Sequence, residues 1–152
     1  MSWISFKSFS PFLTSEDLFE KIVKRCGRFL KRLSLKNFNM DIENSESILN
    51  VIANECTNLQ HIDLGHYLLT QKVLQLLQPN FYKVKVFKCA TSRIDDNDLY
   101  DLFLTNKKLQ QLKIEFDSKF KLFGTFLHAL SENTLTYLEI CEIVISGKNF
   151  IH

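Results

Sequence analysis

A six-position hydrophobic pattern recurs five times along the chain. Apolar residues occupy its first, fourth and sixth positions, as in the segment 30–35, where leucine fills all three. The five copies start at Leu30, Leu59, Phe81, Leu109 and Leu135, with spacings of 29, 22, 28 and 26 residues. Recurrence at a period of this size indicates an internal structural repeat.

The third copy can be placed in two phases. A start at Phe81 puts Val84 and Val86 at the fourth and sixth positions, and it keeps the asparagine–apolar step that also opens the second copy. A start at Val84 would put Phe87 and Cys89 there and would space the neighbouring copies equally, by 25 residues. We take the Phe81 phase as the prediction and the Val84 phase as its alternative.

Amphipathic stretches of helical length separate the copies. Apolar residues at helical spacing form four groups: Ile48, Leu49 and Ile52; Val73, Leu74, Leu76 and Leu77; Leu99, Leu102 and Phe103; Phe123, Phe126, Leu127 and Leu130. Helix starts are indicated by Thr70 and by the acidic run 95–98. A further helix ahead of the first copy begins with the capping box 14–17 and turns Leu18, Ile22, Val23 and Cys26 inward.

One strand–helix unit is too small to bury its own apolar face, so stacked units must share a core. The prediction is one parallel sheet with helices on one side. Side chains alternate along a strand, so the positions between the buried ones face away from the helices. With the preferred phase these outward residues, the predicted protein-binding surface, are Arg32, Ser34, His61, Asp63, Lys83, Lys85, Gln111, Lys113, Tyr137 and Glu139.

The segments 24–35, 53–64 and 84–96 each combine this pattern with a cysteine close to the strand. In this they resemble the cysteine-containing leucine-rich repeats of F-box/leucine-rich-repeat proteins. The resemblance implies a right-handed α/β solenoid, or horseshoe, of about five repeats, with parallel strands on its concave side and helices on its convex side. The fifth copy departs from the family pattern, because no cysteine precedes it.

The whole chain, 1–152, is expected to form a single leucine-rich-repeat domain. Residues 1–29 would be an N-terminal capping segment and helix, 30–141 the repeats, and 142–152 a short apolar tail that leaves the last strand edge poorly protected. Relatives of this kind present substrates to Skp–cullin ubiquitin ligases. The segment ahead of the first helix is too short for an F-box, so a Skp adaptor and cullin are expected as partners only if an F-box is supplied elsewhere.

The resemblance therefore implies a non-catalytic module that recognises protein substrates for ubiquitin-dependent degradation. The alternative is a free-standing leucine-rich-repeat scaffold or inhibitor with no link to ubiquitin. On the outward surface, Lys83, Lys85 and Lys113 would make the centre basic, which favours an acidic or phosphorylated segment of a target protein.

Composition and charge restrict the other classes of function. The 152 residues fit one domain, and 19 basic against 17 acidic residues leave a net charge of +2. We therefore expect neither nucleic acid nor membrane as a partner. Four dispersed cysteines and the absence of an apolar leader favour reduced, mostly buried thiols in a cytoplasmic or nuclear protein.

Signatures of catalysis are missing from the sequence. It contains no nucleophile elbow, phosphate-binding loop or paired-histidine metal motif, and the four histidines fall in no catalytic pattern. The aspartates between 95 and 98 lack the glycine and glutamate of a calcium-binding loop. We expect no enzymatic activity, no cofactor and no metal.

Overall fold

The computed structural model describes residues 3–5, 15–36, 42–91, 94–117 and 125–143. Among them, strands and helices alternate along the chain. The strands are β1 (Trp3–Ser5), β2 (Arg32–Ser34), β3 (His61–Leu69), β4 (Val86–Thr91), β5 (Gln111–Asp117) and β6 (Tyr137–Ile143). The helices are α1 (Ser15–Cys26), α2 (Ile42–Glu55), α3 (Gln71–Phe81), α4 (Asp96–Thr105) and α5 (Thr125–Ser131).

The six described strands form one parallel sheet in chain order, β1 to β6. Each helix contacts the next one in the chain, so the helices make a second layer in the same order. An α/β arrangement of stacked strand–helix units follows, as the repeat predicts. The predicted N-terminal capping segment includes a strand that the sequence analysis did not foresee, because residues 3–5 pair in parallel with Arg32–Ser34.

The core lies between the sheet and the helix layer. Alternate residues of β2 and β5, and of the first parts of β3 and β4, enter it, and the helices contribute the apolar faces that the sequence indicates. One aligned set of buried strand residues is Leu33, Ile62, Phe87 and Leu112. Two positions later in each repeat, Leu35, Leu64, Cys89 and Ile114 are also buried. Burying such side chains contributes roughly 1.5–3 kcal/mol each relative to exposure.

The sheet register overturns the preferred phase of the third repeat. Ile62 and Leu112 both pair with Phe87, which is fully buried. The phase that starts at Val84 is therefore correct, and the segment 79–81 closes α3 instead of opening a strand. The prediction was wrong because it took the dipeptide Asn80–Phe81 as the start of a strand, whereas these residues end α3.

Backbone hydrogen bonds at the starts of the strands recur at equivalent positions, in agreement with the Val84 phase. The carbonyl of Lys31 accepts from Gln60 N and His61 N at 2.8 and 3.0 Å. The carbonyls of Gln60, Lys85 and Gln110 each accept from two consecutive N–H groups of the next repeat in the same way. Equivalent backbone positions are thus Lys31, Gln60, Lys85, Gln110 and Thr136.

The predicted helix starts agree with the structure where they are described. Thr70 Oγ1 accepts from Val73 N at 3.3 Å, and Asp95 Oδ1 accepts from Asn97 N at 2.8 Å. In α1, Phe19 and Val23 are buried and Ile22 packs against the core, whereas Cys26 is exposed, against the prediction. Leu127 of α5 is also exposed. Thr14 and Phe123, which the sequence placed in helices, lie outside the described residues.

The last strand has less cover than its neighbours. Leu138 and Ile140 of β6 are 46% and 38% exposed, although the residues that pair with them, Leu112 and Ile114, are fully buried. Within the described residues β6 is the last element, and no helix follows it. The apolar side chains of β6 are therefore partly exposed, and the poorly protected edge of the last strand stays a prediction.

Candidate functional site: the open sheet face and a basic depression

One face of the sheet is turned away from the helices, and we call it the open sheet face. Two rows of residues cross it in register. The first row is Arg32, His61, Val86, Gln111 and Tyr137, and the second row is Ser34, Asp63, Lys88, Lys113 and Glu139. Strands lie about 4.8 Å apart, so neighbours in a row are within side-chain reach.

Eight of the ten predicted surface residues lie in these two rows, and Lys83 and Lys85 do not. The corrected phase puts Val86 and Lys88 in their places. The Val84 phase spaces the second, third and fourth copies equally, by 25 residues, and this is the sequence signal that would have identified Val86 and Lys88. Backbone pairing also extends the rows to Trp3, opposite Arg32, and to Ser5, opposite Ser34.

Lys113 is neutralised on the open sheet face. Its Nζ lies 3.2 Å from Glu115 Oε1 and 3.0 Å from Glu139 Oε1. Hydrogen bonds to the two carboxylates, Glu139 first, raise the pKa of the Lys113 ammonium. The predicted centre of Lys83, Lys85 and Lys113 is therefore not formed on this face. Lys113 is paired with acids, Lys83 and Lys85 lie elsewhere, and Lys88 occupies the middle of the second row.

Glu139 is the acceptor at the middle of a small polar cluster. The Tyr137 hydroxyl donates to Glu139 Oε2, and Cys141 Sγ donates to Oε1 at 3.3 Å. The hydrogen bond from Tyr137, followed by that from Lys113, lowers the pKa of Glu139 to about 2. The same hydrogen bond to Glu139 raises the pKa of Tyr137. This end of the face presents a carboxylate and an ordered tyrosine.

His61 lies in the first row, where it pairs with Arg32 and is also close to the charge of Lys85. Partial burial, then the charges of Arg32 and Lys85, lower the pKa of its imidazole. The ring is therefore neutral near pH 7, and it can accept as well as donate a hydrogen bond. Beside it the second row carries a shallow dip of about 100 Å³ bounded by Lys36, Asp63, Lys88, Lys113 and Glu115. Charges of both signs line this dip.

Lys83 and Lys85 instead line a larger hollow at the amino-terminal edge of the strands. Its volume is about 410 Å³, and we call it the basic depression. Five cations line it, and no acidic residue does: Arg28, Lys31, Lys83, Lys85 and Lys108. Asn58, Gln60 and Phe29 complete the wall. Sequence reasoning missed Arg28, Lys31 and Lys108 because it considered the outward strand positions alone.

Hydrogen bonds and aromatic contacts position the cations of the basic depression. Lys83 Nζ donates to the Thr57 carbonyl at 2.9 Å and to Asn58 Oδ1 at 3.4 Å. The Arg28 guanidinium lies 4.7 Å from the centre of the Phe29 ring, and Lys83 Nζ lies 5.3 Å from that of Tyr82. Such cation–π contacts leave the positive charge in place.

The described residues give no sign of a metal centre or of a membrane span. In this part of the chain no three His, Cys, Asp or Glu side chains gather as metal ligands would. None of the helices described here combines the length and apolar character needed to cross a bilayer.

Comparison with known proteins adds no family to this picture. Neither the models of known protein families nor the sequences of curated proteins give a match to the chain. The residues and their geometry are therefore the basis of the functional argument.

Proposed function

We propose that the chain is a leucine-rich-repeat solenoid that performs no chemistry and binds a protein partner through its open sheet face. The observation that carries the proposal is the pair of aligned rows across consecutive parallel strands. A repeat of one strand and one helix builds such a surface as broad, open rows of side chains, which suit an extended partner better than a small substrate.

The residue types in the first row support a protein partner. Arg32 and Tyr137 are exposed at opposite ends of the row, and both types frequently anchor protein interfaces. Between them, neutral His61 and Gln111 can donate and accept hydrogen bonds. The mixed charge of the second row favours a partner with matching acids and amides over one that is uniformly acidic.

By resemblance to the F-box/leucine-rich-repeat proteins, the proposed role is substrate recognition in ubiquitin-dependent degradation, in the cytoplasm or nucleus. A Skp adaptor and cullin would join through an F-box on another chain or segment. The second candidate is a scaffold or inhibitor of the same architecture without that link. Affinity purification of the tagged protein from its own cells, with mass spectrometry, separates them: recovery of a Skp adaptor with a cullin supports the first, and a reproducible partner set without them supports the second.

A matched pair of variants ties the captured partner to the open sheet face. Arg32→Glu/Gln111→Glu changes two residues of the first row, and Lys21→Glu/Gln78→Glu makes the same charge change at exposed positions of α1 and α3. The first variant should lose the partner while the second retains it. Retention by both variants, with unchanged helical circular dichroism, would contradict binding through this face.

A further inference from the structure

We propose that the basic depression is a separate site that binds a phosphorylated peptide segment, with Lys31, Lys83 and Lys85 holding its phosphate groups. The inference does not depend on the proposed function, since a short phosphopeptide can bind here whether or not the open sheet face takes a partner. The sequence pattern places the positive charges of Lys83 and Lys85 on the outward face of the sheet. The structure places them in the basic depression, and the proposed phosphate binding belongs there.

The repeat itself brings these cations together. Lys31 and Lys85 occupy equivalent positions, directly after the buried residues Leu30 and Val84. Lys83 and Lys108 likewise precede the buried residues Val84 and Leu109. Beside these buried residues, Lys31 and Lys108 are exposed, and Lys83 and Lys85 are half-buried. These cations are dispersed through the sequence, and stacking of the repeats in register therefore brings them to one hollow.

The cations are positioned without being neutralised. The acceptors of Lys83 are a backbone carbonyl and an amide oxygen, both uncharged. An ammonium has three donors, so one donor of Lys83 remains for a ligand. Of the ion pairs found among the described residues, none involves a cation of the basic depression. A phosphate entering the hollow would be the first charged acceptor that these side chains meet there, and charge-assisted hydrogen bonds of this kind are strong.

The dimensions favour a peptide with two phosphates over a nucleic acid. Lys31 and Lys85 start strands that are two apart in the sheet, which separates their backbones by about 9.6 Å. Residues three apart in an extended peptide are separated by about 10 Å. Nucleic-acid binding relies on an extended set of phosphate contacts, often about 6–10. The five cations here are confined to one hollow, and the chain carries a net charge of only +2.

The probe that tests the proposal is a short labelled glycine-rich peptide with two phosphoserines separated by two glycines. Fluorescence anisotropy with the intact protein should show binding at least about tenfold tighter than that of the unphosphorylated peptide, because each phosphate adds charge-assisted hydrogen bonds. Raising the salt concentration should weaken the binding, since the contacts are exposed.

Two double variants provide the specificity control. Lys31→Glu/Lys85→Glu reverses two charges in the basic depression, and Lys36→Glu/Lys88→Glu reverses two charges on the same repeats at the dip of the open sheet face. The first should weaken phosphopeptide binding by about tenfold or more, and the second by less than about threefold. Thermal melts followed by circular dichroism verify that both variants fold.

Three results would overturn the proposal. They are phosphate-independent binding by the natural protein, an equal loss in the two variants, and tighter binding of a single-stranded oligonucleotide of the same charge than of the phosphopeptide. The last result would identify a nucleic-acid surface. A phosphopeptide affinity that depends on Lys31 and Lys85 would support the site even if the Arg32→Glu/Gln111→Glu variant shows the proposed partner surface to be wrong.

Discussion

The ring of Phe81, at the end of α3, meets the ring of Phe87, in β4, edge to face. The ring centres are 5.0 Å apart, the planes are inclined by 86°, and both side chains are almost fully buried. One phenylalanine belongs to a helix and the other to a strand, so this contact joins the two layers at the third repeat. It also explains why the hydrophobic pattern fits two phases there, since both residues lie in the core where the second unit meets the third.

Replacing Phe87 by alanine should destabilise the protein much more than replacing its neighbour Val86. Phe87 fills the core between Ile62 and Leu112, so Phe87→Ala is expected to cost about 3–5 kcal/mol in the free energy of unfolding. Val86 lies half-buried on the open sheet face, and Val86→Ala should cost less than half as much. Urea unfolding followed by circular dichroism measures both. A larger loss for Val86→Ala would restore the Phe81 phase.

Asn106 supports the junction between α4 and the preceding repeat. Its buried Nδ2 donates to the Val84 carbonyl at 2.8 Å, and its Oδ1 accepts from Lys108 N at 2.9 Å. Asn106→Ala leaves the Val84 carbonyl without its donor and should cost roughly 1–3 kcal/mol. Asn58 donates to the Arg28 carbonyl at 2.8 Å but is exposed, so Asn58→Ala should cost less. Equal losses in chemical denaturation would mean that burial at Asn106 is unimportant.

The four cysteines should differ in their reaction with a thiol reagent. All four are free thiols. Burial, aided by the charge of Glu55, raises the pKa of Cys56 to about 12, and burial also raises that of Cys89. The hydrogen bond to Glu139 raises the pKa of Cys141. Since the thiolate is the reactive form, exposed Cys26 should react first with Ellman's reagent in the native protein.

The cysteine assignment is tested by one substitution. Cys26→Ser should remove the fast phase and leave the slower reaction of the remaining thiols unchanged. In denaturant all three remaining thiols should react rapidly, because unfolding exposes them. A fast phase that persists in folded Cys26→Ser protein would show that half-buried Cys141, or buried Cys56 or Cys89, is more accessible than its burial indicates.

Stability should fall with decreasing pH in a range set by His61. Burial, Arg32 and Lys85 lower its pKa in the folded protein, so the unfolded chain binds the proton more tightly. Both states are neutral above the unfolded pKa of about 6.5, and the destabilisation grows as the pH falls from there through the lower folded pKa. His61→Gln keeps a polar side chain and should reduce the loss of stability between about pH 7.5 and about pH 5.5.

The pH experiment has a direct comparison. Unfolding curves of the natural protein and of His61→Gln are measured at both pH values. The difference between the two proteins in the loss of unfolding free energy is the contribution of His61, because the carboxylates titrate alike in both. An identical loss of stability in the two proteins would indicate that His61 keeps its ordinary pKa on folding.

Local patterns were sufficient for most of the elements and insufficient at specific places. The helix starts at Thr70 and Asp95 follow from the capping chemistry of single side chains, which acts over a few residues. The strand at residues 3–5 was missed because three residues carry no periodicity, and its pairing with β2 is a long-range contact. Cys26 is exposed although its spacing suits an inward face, since it ends α1 where the chain turns toward the first repeat.

The candidate surfaces also combine residues that local patterns could place with residues that depend on long-range contacts. Residues such as Arg32, Asp63 and Tyr137 could be placed on one face because alternation along a strand is a local property. Lys83 and Lys85 could not, because a wrong phase in one repeat moves every outward residue of that repeat. The basic depression was not foreseen, since its walls come from successive units that are distant in sequence.

The amino-acid sequence by itself determined that strands and helices alternate with a period near 26 residues and that the apolar positions of each unit must be covered by its neighbours. Hydrophobic periodicity and capping act within one unit, so they can be recognised from the residues alone. Only the tertiary structure decided the register between strands, which follows from hydrogen bonds such as those from Lys85 N and Val86 N to the Gln60 carbonyl. That register separates the neutralised Lys113 on the open sheet face from the free cations of the basic depression, because it sets which charges of different repeats become neighbours.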